Sequence, residues 1–192
     1  MTGEDAAARD TGVVAAGWRV AWRRYDPDDR RRTAWSLLTG LAGAEATLSN
    51  PCARCGGPHG PVTLTGVPFV GTVSYAAGYA VVALADSGRF RAVGVDAAID
   101  SSASGAPPDL AGVLPDGAGL RDWVRLEAAV KADRRGLMVD PGRVSIRGDG
   151  RAWRARIPGQ RDRVRGMDLP GPPGVLVSLA VIERAGSARE GR

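Results

Sequence analysis

Leu120-Arg-Asp-Trp123-Val-Arg-Leu-Glu127-Ala-Ala-Val-Lys131-Ala-Asp133 is the stretch around which the rest of the chain is read. Leu120, Trp123, Leu126 or Glu127, and Val130 recur at spacings that line one face of an α-helix, and Gly136 sits where helices commonly stop. The pattern predicts a helix over about residues 120–137. The stretch also holds Lys131, the only lysine among 26 basic residues. Arginine is a planar cation that never loses its proton, whereas lysine is a compact charge whose pKa can move. Glu127 stands one turn earlier on the same face. Taken alone, such a Glu–Lys pair is an ordinary surface device, stabilising a helix by about 0.2–0.5 kcal/mol.

Outward from this helix, apolar runs bounded by turn residues predict strands. Residues 13–22 read as a first strand, and Asp26-Pro27-Asp28-Asp29 as the start of a helix from about Asp28 to Ala42, with Trp35 and Leu38 inward. Short strands are expected at Val62–Leu64 and Phe69–Val73. A helical or turn segment from Ser74 then leads into a strand at Tyr79–Leu84, and Phe90–Asp96 is the next strand. Beyond the 120–137 helix, Val144–Arg147 and Ala152–Ile157 read as a hairpin and Gly174–Glu183 as a last strand. Residues 100–119, rich in Ser, Gly, Ala and Pro, read as a loop.

Tyr79-Ala-Val-Val-Ala-Leu-Ala echoes Val175-Leu-Val-Ser-Leu-Ala-Val, each preceded in its half by one sizeable helix. The echo is too weak to be a repeat by itself, and it hints at an α/β (α+β) fold of two similar lobes. The lobes span residues 13–90 and 91–192, with a cleft between them and a disordered segment over 1–12.

The 192 residues are 44% hydrophobic and 24% charged, as in a globular protein with a core. A net charge of +5 and a pI near 10.0 favour an acidic partner or a polyanionic ligand. No apolar run reaches the ~18–20 residues of a membrane helix, and the first ten residues have no signal-peptide pattern. A cytoplasmic protein with reduced Cys52 and Cys55 is the expectation.

Gly94-Val95-Asp96 ends a strand, and Glu127 and Lys131 lie on the following helix. A carboxylate at a strand end and another on a helix can share one Mg²⁺, which takes few protein oxygens and leaves the rest to water and phosphate. A lysine one turn beyond can neutralise a phosphate or assist a leaving group.

These two motifs, Gly94-Val-Asp96 and Trp123-Val-Arg-Leu-Glu127-Ala-Ala-Val-Lys131, resemble the signatures of the 4′-phosphopantetheinyl transferases. Those signatures read roughly Gly-x-Asp-x-Glu and Trp-x-x-Lys-Glu-Ala-x-x-Lys. Val73-Ser74-Tyr75-Ala-Ala-Gly78 resembles the family's Ser-His stretch, and Pro58-His59-Gly60-Pro61 its Gly-Lys-Pro loop. Arg32-Thr33 resembles a pair that holds the 3′-phosphate of coenzyme A in surfactin-type members. The similarity spans about residues 13–183.

The resemblance implies an α/β (α+β) fold of two similar lobes in pseudo-two-fold arrangement, coenzyme A in the interlobe cleft, and transfer of 4′-phosphopantetheine to a serine of an apo acyl or peptidyl carrier protein, itself acidic. Asp96 and Glu127 would bind Mg²⁺, Glu127 would help deprotonate the carrier serine, and Lys131 would contact phosphate. Arg32, Thr33, His59, Ser74 and Tyr75 would bind coenzyme A. This chain departs from the family pattern at Ala98 in place of the second metal carboxylate, Leu126 in place of lysine, Tyr75 in place of histidine, and a loop lacking lysine before Pro61.

Cys52-Ala-Arg-Cys55-Gly-Gly-Pro-His59 supplies three ligand types for zinc, but a structural zinc takes four. The chain has no other cysteine or histidine, so a plain reduced loop is the favoured reading and a metal the lesser one. His59 reads as a nucleotide contact or an exposed loop residue. The runs Arg30-Arg-Arg32 and Arg161-Asp-Arg-Val-Arg165 read as solvated basic faces, with nucleic-acid binding as a rival supported only by charge. A homologue that binds coenzyme A or a carrier protein without efficient transfer is the other rival.

Overall fold

A computed structural model describes residues 11–15, 17–100, 114 and 118–184. The fold is α+β, with mostly antiparallel sheets and two main helices. Most of the 100–119 loop, and residues 1–10 of the segment expected to be disordered, lie outside the described residues. Thr11 and Gly12 belong to a strand.

The first sheet holds β1 (Thr11–Ala15), β2 (Trp18–Arg24), β5 (Phe69–Ala76) and β6 (Tyr79–Asp86) in the order β1-β2-β6-β5. The expected single strand over 13–22 is therefore a hairpin, in which the chain reverses at Gly17 with φ 88°. No helix or turn begins at Ser74. Strand β5 continues to Ala76, and the chain turns at Ala77 (φ 49°) and Gly78 (φ 76°), both in the left-handed region. Such a two-residue turn matches the twist of the flanking strands. Its signal was weak because Ala-Gly stands where Asn-Gly is usual.

Helix α1 (Arg30–Ala42) covers one face of this sheet after a 3₁₀ turn at Pro27–Asp29. Ala34, Leu37 and Leu38 are buried against Ala21, Ala80, Val82 and Leu84. Trp35, expected inward, is only half-buried. Gly71 on β5 lets this layer close, because a Cβ there would meet Leu64 at 2.6 Å and Leu84 at 3.0 Å. A small two-stranded sheet, β3 (Thr47–Ser49) with β4 (Thr63–Thr65), brackets the Cys52–Pro61 loop.

The second sheet runs β7-β11-β10-β9-β8, from β7 (Phe90–Ile99), β8 (Ser145–Arg147), β9 (Ala152–Arg156), β10 (Val164–Leu169) and β11 (Val175–Glu183). Strand β10 was hidden in the sequence, since Arg161–Arg165 reads as a charge run. Val164 is in fact buried, while Arg165 faces out and meets Glu183 at 3.5 Å. Gly166 next to it leaves room for the Trp153 ring.

Helix α2 (Leu120–Asp133) packs on β7 and β11. It ends at Arg134, whose φ of 65° is left-handed, so the helix is shorter than its periodicity suggests, and Gly136 opens a separate 3₁₀ turn.

Strand alternation divides β7 between two cores. Val93, Val95 and Ala97 face Val20, Trp22, Val81 and Ala83 of the other sheet. Gly94 and Asp96 face α2. A Cβ at Gly94 would overlap the carbonyl oxygen of Ala128 and the amide nitrogen of Ala132. The missing side chain is thus what brings the helix backbone down onto the strand.

Under the other end of α2, buried Arg125 binds Asp168 through Nε and Nη2 (3.2 and 2.7 Å) and reaches the carbonyl of Gly150 (2.8 Å). Ser178 donates to Asp168 (2.9 Å) and accepts from the Trp153 indole (3.0 Å). Removing one partner of such a pair strands a buried charge, at a cost of about 3–5 kcal/mol. Arg125→Ala is therefore expected to lower the unfolding free energy by about that amount in urea titrations, and Gly94→Val by about 1–3 kcal/mol or more through overpacking.

Candidate active site

Edge strands β5 and β7 meet without a backbone ladder. Side-chain hydroxyls take its place: Thr72 Oγ1 accepts from the Val95 amide (3.5 Å) and Ser74 Oγ from the Ala97 amide (3.2 Å). Ser74 also donates to Asp96 Oδ1 (2.9 Å) and accepts from Lys131 Nζ (3.1 Å). A serine hydroxyl has one donor and two acceptor sites, and all three are used. Lys131 Nζ lies 2.6 Å from Asp96 Oδ1. Asp96 is buried, while the lysine side chain keeps 30% of its surface exposed towards the cleft.

Glu127, one turn before Lys131, is half-buried. Burial is the main cause that raises its pKa above the ordinary carboxylate value; the Asp96 charge raises it further and Lys131 partly offsets both. Two acids thus share a small volume with one ammonium.

A cleft of about 500 Å³ opens beside this group. Arg30, Arg31 and Trp35 border it from α1, Thr72, Val73 and Tyr75 from β5, and Glu127, Val130 and Lys131 from α2, with Arg134 just beyond. Asn50, His59, Gly60 and Pro61 close it from the loop. Arg30 lies over the Tyr75 ring at 5.5 Å, and Tyr25 meets that ring edge-on at 5.6 Å. Arg134 donates to the Val62 carbonyl at 3.4 Å, and both residues line the cleft.

Of the residues singled out in the sequence, Ser74, Asp96, Glu127 and Lys131 come together, and Tyr75 and His59 line the adjoining cleft. Arg32 and Thr33 do not line it. Arg32 is 78% exposed and pairs with Asp29 in the 3₁₀ turn before its helix, and Thr33 is half-buried. The cationic residues that α1 turns to the cleft are Arg30 and Arg31 instead. Both were read only as part of the solvated basic run Arg30-Arg-Arg32, and Arg134 was not singled out. Arg134 is three residues beyond Lys131, a spacing that already places it on the same face.

The donor set fits a hard divalent cation. Asp96 and Glu127 supply oxygens on neighbouring elements, and their mutual repulsion is what a cation would relieve. Lys131 currently meets that need at Asp96 Oδ1. Ala98, on the same strand face, adds no oxygen.

The raised pKa of Glu127 has a stability consequence. The native state holds this proton to higher pH than the unfolded chain. Its contribution is therefore fully present below the unfolded glutamate pKa and is lost as pH rises through the folded value. Glu127→Gln is expected to be more stable than the parent at neutral pH and to lose that part of the pH dependence. Parallel denaturation curves for the two proteins across acid to neutral pH would contradict this.

The chain matches no protein-family model and no curated protein sequence. Among the described residues, no helix is long and apolar enough to cross a membrane.

Proposed function

We propose that the protein transfers 4′-phosphopantetheine from coenzyme A to a serine hydroxyl of an apo carrier protein, with coenzyme A in the cleft beside β5 and α2. The observation that carries this reading is the meeting of Asp96, Glu127 and Lys131 at one wall of a cleft bordered by Arg30, Arg31 and Arg134. A nucleotide with a diphosphate and a further phosphate needs that much positive charge. The sheet paths add support. In β2-β6-β5 under α1 and in β7-β11-β10 under α2, the strand before the helix lies beside the last strand of its half. We read these as two like lobes in pseudo-two-fold arrangement.

In this reading Asp96 and Glu127 hold Mg²⁺. When bound, the ion neutralises charge on the diphosphate. Glu127 takes the proton of the carrier serine, directly or through water. The serine oxygen forms a bond to the β-phosphorus as the bond from that phosphorus to the bridging oxygen breaks, releasing adenosine 3′,5′-bisphosphate. Lys131 turns from Asp96 to the departing phosphate and balances its charge. Arg30 and Arg31 stand where Arg32 and Thr33 were expected to act, and His59 and Tyr75 line the nucleotide side. The acidic recognition surface expected of carrier proteins suits a chain of net charge +5.

One observation favours a protein that binds coenzyme A but transfers poorly. Lys131 already occupies Asp96, and Ala98 offers no further oxygen for the metal. The deciding assay combines the protein, Mg²⁺, coenzyme A and several apo carrier proteins, with intact-mass detection of the adduct. Transfer is expected. Coenzyme A binding with no adduct on any carrier would leave only the binding reading, and salt-sensitive nucleic-acid binding without coenzyme A affinity would displace both. Glu127→Gln should lower the transfer rate by about 10²–10⁴-fold, the usual worth of a general base. Asp96→Ala should raise the Mg²⁺ concentration needed for half-maximal rate. Lys131→Arg should slow transfer, and an undiminished rate would remove the lysine from this account.

A further inference from the structure

The Cys52–Pro61 loop folds back on itself through backbone hydrogen bonds. The Gly56 amide donates to the Cys52 carbonyl (2.8 Å), the Cys52 amide to Gly57 (2.8 Å), and the Gly60 amide to Asn50 (2.8 Å). Gly56, directly after the second cysteine, has φ 71°, a conformation that turns the chain back over the Cys-x-x-Cys stretch. These turns bring one ligand atom each from Cys52, Cys55 and His59 within 4.8 Å of one another, and Cys55 Sγ lies 3.0 Å from His59 Nε2. Gly57 lies against them, since a Cβ there would come to 3.2 Å from the His59 ring and 3.3 Å from the Cys55 sulfur.

We propose that Cys52, Cys55 and His59 form a zinc site. Two thiolates and an imidazole are the soft and borderline donors that select zinc over magnesium or calcium. With Zn–S near 2.3 Å and Zn–N near 2.0–2.1 Å, ligands on one tetrahedral ion stand roughly 3.5–3.8 Å apart. The observed spread of 3.0 to 4.8 Å brackets that range, so side-chain rotation on the loop is enough to close the site. The backbone amides of Arg54 and Cys55 donate to the Cys52 sulfur and hold its pKa below the usual thiol value. As each Zn–S bond forms, the thiol proton leaves to solvent.

Three protein ligands leave one coordination position for water or a small anion. His59 borders the cleft, and the Pro58 carbonyl beside it accepts from Arg31 and Asn50. Zinc here would fix the loop wall and, through Pro58, the Arg31 side chain. The site is separate from Asp96 and Glu127 and does not depend on the transferase reading.

The experiment is elemental analysis of the full-length protein, purified under reducing conditions without chelator, together with the absorption spectrum after Co²⁺ replacement. About one zinc per chain is expected, with intense visible bands and a thiolate-to-cobalt charge-transfer band of a tetrahedral site. Cys52→Ser and Cys55→Ser should each abolish the charge-transfer intensity from one sulfur and cut zinc retention, and His59→Ala should weaken zinc in chelator competition by about tenfold or more. Unaltered protein that holds no zinc, titrates two free thiols and gives no cobalt–thiolate band would overturn the proposal, as would a stable Cys52–Cys55 disulfide in its mass spectrum. Because the cobalt spectrum is read on the unaltered chain, misfolding of a variant does not blunt the test, and neither does the absence of transferase activity.

Discussion

One ammonium group joins three elements that are distant in sequence. Lys131 on α2 reaches Asp96 on β7 and Ser74 on β5, and this contact exists only because each neighbour is built for it. Gly94 lets the backbone of α2 settle on β7. Thr72 and Ser74 let β5 lie beside β7 by hydroxyl contacts where a ladder is lacking. A charge pair of this kind returns little net stability once desolvation is counted. Its arrangement, with a third charge from Glu127 pressed into the same volume, is an expense carried at one place in the fold.

The apolar layers bear that expense. One core lies between the two sheets, and each helix closes a further core on the outer face of its own sheet. Strand β7 belongs to two of these at once through its alternation, and Asp96 is the polar exception on its helix-facing side. The same geometry gathers Arg30, Arg31 and Arg134 around the cleft from two distant points of the chain. Their field inside a partly enclosed space attracts polyanions more strongly than the modest net charge suggests.

Much of this was legible in the sequence where period and spacing were strong. The α2 face and the strands at Tyr79 and Val175 all follow from apolar pattern and turn chemistry. The convergence of Asp96 with Glu127 and Lys131 follows instead from the strand-then-helix placement of their two motifs and from what the family resemblance implies. Other features were not. The β5 extension past Ser74 ended in a turn whose Ala77 carries a left-handed φ that sequence gives no reason to expect. Strand β10 was masked by arginines, because an outward-facing charge and a buried valine alternate there over few residues. The arginines of α1 were misjudged by a single position, which on a helix is a rotation of about 100°. Adjacency in sequence says little about direction, and only the packing of Leu37 and Leu38 fixes which arginines turn to the cleft.

Lys131 is also the one lysine of the chain, and it sits within that cleft. Amine-directed chemistry on side chains therefore has a single address. A reagent that acylates or methylates lysine reports on this pocket and nothing else on the side chains, and a protease that cuts after lysine divides the protein only there. The one side-chain ammonium resonance in a spectrum of the protein would come from the Asp96 pair. Occupancy of the cleft can thus be followed without introducing a label, through the chemistry of a residue the chain uses once.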